Sequence, residues 1–207
     1  MGKILFATKN KSKIKEFIDI LSPFNIDIIT LNDLNLDYEI IEDGNTFEEN
    51  AIIKAKYIAK ETNMLTIADD SGIEIEVLNG FPGIYSARFA GEKTSYDFKN
   101  KLILSMMKNK SNRKARFVCA MAIALPIGEV EVVKEYIEGE INTSIKGENG
   151  FGYDPIFYLK EYDSTFAQIP ANIKNKISHR YKATKAVLRK LKELNLIWLM
   201  LFCISQK

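Results

Sequence analysis

"KILFATKNKSKIKEFIDILSPFNIDIIT", Lys3 to Thr30, decides the fold class. "KILFAT" (3–8) is a short apolar run that ends in a polar turn, the pattern of a buried strand. In "SKIKEFIDILS" (12–22), Ile14, Phe17, Ile18 and Leu21 recur at helical spacing, and Ser12 stands where an N-cap residue would. "IDIIT" (26–30) reads as a second strand. Strand, loop, helix and strand in this order predict a βαβ unit and an α/β protein.

Downstream, "DGNTFEENAIIKAKYIAKET" (43–62) opens on an Asp-Gly turn. Thr46 followed three residues later by Glu49 is a capping-box signature for a helix reaching about Thr62. Strands are expected at 65–69 and 73–78, with Ser71-Gly72 bending the chain between them. A Gly/Pro-punctuated loop (79–94), a helix (95–108) and the long strand "ARFVCAMAIALP" (115–126) follow. Ile127-Gly128 turns the chain into the alternating "EVEVVKEYIEGEI", which suits an antiparallel, half-exposed strand. A glycine-rich loop (146–157) and a closing helix, "ISHRYKATKAVLRKLKEL", complete a mixed sheet. No repeat, low-complexity tract or clean linker divides the chain, so 1–195 is expected as one domain of two lobes that share it.

Lys+Arg of 29 against Asp+Glu of 27 leaves a formal charge of +2. That balance argues against a general nucleic-acid or membrane-surface binder, which carries a basic excess, but allows a local basic pocket for one small anion. The two cysteines, Cys119 and Cys203, form no disulfide framework. The start lacks the features of a secretory signal, and the expected location is cytoplasmic. The apolar "LNLIWLMLFCI" (194–204) is well short of the ~20 residues of a spanning helix. It is expected, with the rest of the 196–207 tail, to pack on the core or on a second subunit.

Five stretches could carry chemistry. "TKNKSK" (8–13) joins a strand to a helix start, where free N–H groups and the helix dipole attract anions; a capped polar turn would look the same. Glu42 ends an apolar stretch, and a carboxylate facing inward there needs a partner such as a hard divalent cation. Asp69 and Asp70 are adjacent on a strand end, so their side chains point to opposite sides and should not share one role. If one of them converges with Glu42, the pair could hold magnesium and deprotonate a water; an Asx-turn is the alternative. "ENGFGYDPIF" (148–157) combines glycines that permit close approach with flat aromatic faces suited to a planar ligand, or else it is a hairpin loop with core aromatics. The single histidine, His179, stands among Lys174, Lys176, Arg180 and Lys182 at a helix start. The dipole there disfavours positive charge, which hints at an anion or an electron-rich ligand nearby.

Taken together, T-x-N-x-x-K, E-x-G-x-T-F-x-E-N-A, I-A-D-D-S-G, P-G-I-Y-S-A-R-F-A-G, G-F-G-Y-D-P and K-N-x-I-S-H-R occur in one order from about residue 3 to residue 192. In this the chain resembles the inosine triphosphate pyrophosphatase family. The resemblance implies an elongated mixed sheet flanked by helices, with two lobes around a central substrate cleft, commonly as a homodimer. It implies a magnesium-dependent cut of ITP, dITP and XTP into monophosphate and pyrophosphate. By position, Thr8, Asn10 and Lys13 would bind phosphate with Lys9, Lys11 and Ser12 of the same loop, and Lys54 would add a cation. Glu42 would ligate Mg2+, Asp70 would be metal ligand and general base, and Ser71 would touch substrate. Phe151, Gly152, Tyr153 and Asp154 would line the base pocket, completed by Lys174, His179 and Arg180.

The chain departs from the family pattern in three places: Lys9 and Ser12 replace glycines of the first loop, Gln168 stands where an acidic residue is common, and the apolar tail is additional. Two other readings compete with this one. The septum-type nucleotide pyrophosphatases act on methylated or pyrimidine nucleotides, and the S-H-R and F-G-Y-D-P stretches argue against them. A non-catalytic nucleotide-binding module would have no need of both Glu42 and Asp70.

Overall fold

The computed structural model describes residues 3–24 and 26–196. Seven strands form one sheet in the order β2-β1-β3-β4-β5-β6-β7. They are β1 (Ile4–Phe6), β2 (Ile28–Thr30), β3 (Thr66–Ile75), β4 (Lys114–Ala124), β5 (Val130–Ile141), β6 (Phe157–Leu159) and β7 (Ser164–Thr165). The helices are α1 (Lys11–Leu21), α2 (Phe47–Thr62), α3 (Tyr96–Met106), α4 (Ala171–Ile177) and α5 (His179–Glu193). The sheet is mixed, as the sequence predicts. β1 pairs in parallel with β2 and with β3, while β6 pairs antiparallel with β5 and with β7.

The chain divides into two compact units: residues up to Asp70, Cys119–Glu135 and from Arg180 onward in the first, and Ser71–Val118 with Tyr136–His179 in the second. The first unit buries Ile4, Phe6, Phe17, Leu21, Ile67, Met121, Val187 and Leu191 in one core. Phe17 of α1 stacks on Phe6 of β1, with ring centroids 4.0 Å apart, so the helical face read from the sequence meets the strand it was meant to cover. The second unit has its own core around Ile73, Ile75, Ile103, Phe117, Phe157 and Phe166.

Local differences from the sequence reading have physical causes. The N-cap of α1 is Asn10 rather than Ser12, because the Asn10 carboxamide oxygen accepts both the Ser12 and Lys13 N–H groups. Thr46 caps α2 as expected, and the Glu49 carboxylate reaches back to the Asn45 N–H at 2.6 Å. β3 runs unbroken through Asp69-Asp70-Ser71-Gly72, where a bend between two strands was expected. Gly72 is needed there for space: a Cβ would lie 2.4 Å from Ser86 Oγ and 2.5 Å from the Gly83 carbonyl oxygen. The closing helix is preceded by the separate helix α4, and Ser178 is extended between α4 and α5, so α5 begins at His179. The apolar tail lies outside the described residues from 197 on.

Candidate active site

The end of β3 splits the two adjacent aspartates as strand alternation requires. Asp69 turns toward α1 and the start of α5: its Oδ2 is 3.0 Å from Lys13 Nζ and 3.6 Å from Arg180 Nη2. Arg180 also forms an ion pair with Glu16, and Glu16, Asp69 and Arg180 are all buried. Burial alone would raise the Asp69 carboxyl, but Lys13, then Arg180 and Lys54, overcome it and hold the group at about 2.

Asp70 faces other neighbours. Its Oδ2 accepts from Asn50 Nδ2 at 3.1 Å, and its Oδ1 is 3.9 Å from Lys54 Nζ. The same ammonium donates to Glu42 Oε2 at 2.8 Å. Burial pushes the Asp70 carboxyl above its ordinary range, against the pull of Lys54 and Lys13, and the Glu42 charge adds to the rise. Two adjacent carboxylates are thus driven apart: one is a locked anion, the other is raised toward taking a proton. Divergent environments of this kind assign acid–base roles within a site.

Glu42 and Asp70, 28 positions apart in sequence, share the Lys54 cation. Two carboxylate arms around one positive charge suit a hard ion such as Mg2+, which takes one or two carboxylates and leaves its other positions to water and phosphate oxygens. Among the described residues no cluster of three or more His, Cys, Asp or Glu side chains could hold a metal by itself.

The loop between β1 and α1 is pinned. Thr8 Oγ1 accepts from the Asn10 N–H, and Lys9 is ion-paired with Asp37. Lys11 and Ser12 open α1 on the exposed side. The resemblance placed Lys9 beside the phosphates; in the structure its charge is shared with Asp37, and Lys13 turns inward to Asp69.

The second unit holds the residues expected to read a base except Arg180, which belongs to the first unit and is buried against Glu16 and Asp69. Asp154 Oδ2 accepts from Lys174 Nζ at 2.6 Å and from the Phe151 N–H at 2.8 Å. The Lys174 ammonium lies 4.9 Å from the Phe151 ring centroid and 5.6 Å from that of Phe166, a cation held over two aromatic faces. Gly150 and Gly152 both have positive φ, and a Cβ on Gly150 would meet Asp154 Oδ2 at 2.0 Å. The Tyr153 hydroxyl donates to the Ser86 carbonyl at 2.8 Å, and Tyr153 is buried. His179 stacks on Phe117, with centroids 4.8 Å apart. Ser71 follows Asp70 on β3 and is partly exposed.

Several contributors were not legible. Glu16 is buried although its place in an amphipathic helix reads as polar surface. Asn100 of α3 is buried and donates to the Gly152 carbonyl at 3.1 Å, a support for the glycine-rich loop with no motif of its own. Asn50 lies in a quoted motif, and its pairing with Asp70 is legible only once α2 and β3 are built. Gln168, the departure from the family's acidic residue, caps Thr165 with its amide oxygen, a job that needs no charge.

An α/β protein with a mixed seven-stranded sheet, an aspartate raised beside a glutamate and a lysine, and a lysine held over aromatic rings is the class of nucleotide-processing fold that the sequence resembles. A family model described as the Ham1 family matches residues 4–190. The chain belongs to the Ham1 family. It is 46% identical over 187 residues to the dITP/XTP pyrophosphatase of Bacillus licheniformis, covering 89% of this chain and 95% of that one. Against the dITP/XTP pyrophosphatase of Desulforamulus reducens it is 44% identical over 194 residues, covering 93% and 96%. Among solved structures, the Staphylococcus aureus Ham1 protein superposes with a TM-score of 0.83 at 42% identity, over 92% of this chain and 98% of that one. A HAM1 protein from Coxiella burnetii gives 0.85 at 36% identity, over 93% and 100%. The resemblance read from the six motifs and the fold class it implied are borne out.

Proposed function

We propose that this chain is a nucleoside-triphosphate pyrophosphatase that hydrolyses ITP, dITP and XTP to the monophosphate and pyrophosphate, removing non-canonical purines from the nucleotide pool. Relatives named dITP/XTP pyrophosphatase, which match nearly the whole chain, support the substrate class. The observation that carries the mechanism is the split of Asp69 from Asp70.

In this reading Asp70 accepts a proton from the water that attacks the α-phosphorus. The new P–O bond forms as the bond to the β-phosphate bridging oxygen breaks, and pyrophosphate leaves. A raised carboxyl is a better proton acceptor than an ordinary one, and positioned general bases contribute roughly 10²–10⁴-fold. Asn50 orients the accepting carboxylate through its Nδ2. Glu42 and Asp70 would hold Mg2+, which when bound neutralises phosphate charge and lowers the cost of deprotonating water. Lys13 and Lys54, with the start of α1, supply positive charge to the phosphates.

Selection of the base falls to Lys174 with the Phe151–Asp154 loop. The Lys174 ammonium is held by Asp154. A pocket donor turned on binding toward the six-oxo group of hypoxanthine or xanthine would face the amino group of adenine instead. A buried donor left unpaired costs ~1–3 kcal/mol. Phe151 offers its ring as a stacking face, and in this reading His179, at the start of α5, adds a further contact to the base.

No helix among the described residues is long and apolar enough to cross a membrane. The proposal includes a cytoplasmic location and a homodimer, with small nucleotides as the partners and no nucleic acid. The test is pyrophosphate release from ITP, XTP, dITP, ATP, GTP and CTP, with and without Mg2+, by the wild type and by Asp70→Asn. Turnover of the first three substrates that needs Mg2+ and is lost in a folded Asp70→Asn supports the reading. Equal rates on ATP, or an active Asp70→Asn, would overturn it.

A further inference from the structure

Asp69 belongs to no role so far described, although it stands beside the candidate base. Its side chain is fully enclosed, and four charged groups of one unit converge there: Lys13 and Glu16 of α1, Asp69 of β3 and Arg180 of α5. Two are cationic and two anionic. Arg180 is divided between Glu16 and Asp69, and the Lys13 ammonium lies 3.0 Å from the Asp69 carboxylate. The Lys13 side chain keeps some exposure, 16%, where Asp69 has none. A lysine ammonium carries three protons on a flexible stem, and fixing that stem costs rotamer entropy. An enclosed carboxylate that takes one proton fixes the stem before any ligand arrives and leaves the other two protons for it.

We propose that Asp69 is a positioning residue for the reaction: it acts through Lys13, holding the ammonium at the start of α1 in the place where it meets the phosphates of the substrate. Arg180, anchored by Glu16, completes the clamp at the same carboxylate oxygen, Oδ2. The inference rests on the proposed function, because it takes Lys13 as a phosphate contact. It also assigns adjacent carboxylates to separate tasks, Asp70 to the proton and Asp69 to the geometry of a cation.

Charge alone predicts the opposite effect from positioning. Deleting the Asp69 charge removes a repulsion on an arriving anion, so a purely electrostatic role would raise affinity and kcat/KM in Asp69→Asn. Positioning predicts a fall of about tenfold to hundredfold, the size of a charge-assisted hydrogen bond. The experiment is a double-mutant cycle on the full chain, with kcat/KM for ITP measured in the wild type, Asp69→Asn, Lys13→Met and the double variant. The expected result is a fall of that size in each single variant and a double variant no worse than the weaker single, because Asp69 has nothing to position once Lys13 is gone. An unchanged or raised kcat/KM in Asp69→Asn, or single effects that multiply in the double variant, would overturn the proposal.

A second measurement needs no variant at Asp69. In the wild type, side-chain nitrogen NMR should show the Lys13 ammonium restrained in the free protein and shifted by inorganic pyrophosphate with Mg2+, with the exposed Lys60 as internal reference. A Lys13 ammonium as mobile as that of Lys60 would overturn the inference even if Asp69→Asn does not fold. The two proposals fail separately: a wild type without turnover on ITP sinks the proposed function, whereas an active wild type with an indifferent Asp69→Asn sinks only this one.

Discussion

Replacing Gly72 by alanine tests the packing that keeps β3 straight beyond the aspartate pair. The added Cβ would stand 2.4 Å from Ser86 Oγ, 2.5 Å from the Gly83 carbonyl oxygen and 2.9 Å from Ser86 Cβ. Neither oxygen is free to retreat. Ser86 Oγ donates to the Gly83 carbonyl at 2.6 Å and accepts from the Ile73 N–H at 2.9 Å, so the clash falls on a closed hydrogen-bonded loop. Overpacking of this kind costs about 1–3 kcal/mol, and an anchored backbone carbonyl puts the cost at the upper end. At roughly 2–4 °C per kcal/mol for a chain of this size, the melting midpoint should drop by roughly 6–12 °C. Ser86→Ala alone should cost about 1–3 kcal/mol, since it strands the Ile73 N–H. The double variant should lose less than the sum, because the nearest clashing atom has gone. Thermal unfolding followed by circular dichroism gives all three midpoints, and pyrophosphate release shows whether Asp70, two residues upstream, has moved. A Gly72→Ala midpoint within about 1 °C of wild type, or strictly additive losses, would refute the close-approach account.

Two further predictions concern buried charge. Lys174→Met should destabilise the chain by about 3–5 kcal/mol in urea unfolding and erode the preference for ITP over ATP, because it leaves the enclosed Asp154 without its cation; Lys174→Met with Asp154→Asn should recover stability but not selectivity. The aspartates should have opposite pH signatures. Asp69 falls from 3.8 in the unfolded chain to about 2 in the folded one. It therefore contributes stability above pH ~4, about 2 kcal/mol, that is lost as pH falls from there toward 2. Asp70 is raised by burial, so its ionisation weakens the fold as pH rises through its folded value, and Asp70→Asn should be more stable than wild type at neutral pH. Unfolding free energies measured across the acid range decide both, and a steep acid limb surviving in Asp69→Asn would contradict the first.

Long elements were legible from the sequence because their periodicity is strong: α1 in the opening stretch, α2 behind its Thr46 cap, and the alternating β5; β1 and β2, three residues each, were legible as apolar runs flanking α1. Features that depend on space were not. Ser71-Gly72 reads as a bend, and only the approach of Ser86 shows that the glycine makes room instead. Asn10 and Ser12 are both good caps, and which one takes the N–H groups depends on where the strand ends. β6 and β7, of three and two residues, are too short to show a period. In the candidate site, Glu42, Lys54 and Asp70 were legible as residues, and the structure adds that one ammonium joins them. The order of sides was legible too: two adjacent carboxylates on a strand must diverge. What could not be read was the destination of Asp69, since Glu16 and Arg180 lie 164 positions apart in sequence.

The first loop has a consequence for entropy. Thr8–Lys13 contains no glycine; the Asn10 side chain closes the turn on the N–H groups of Ser12 and Lys13, and Lys9 is moored to Asp37. Each glycine left out of such a turn spares the unfolded chain freedom worth about 0.4–1 kcal/mol. An anion that docks there has little chain to quieten, so more of its attraction survives as affinity. The trade is adaptability: a mooring that stiff suits one shape of phosphate chain and yields poorly to another.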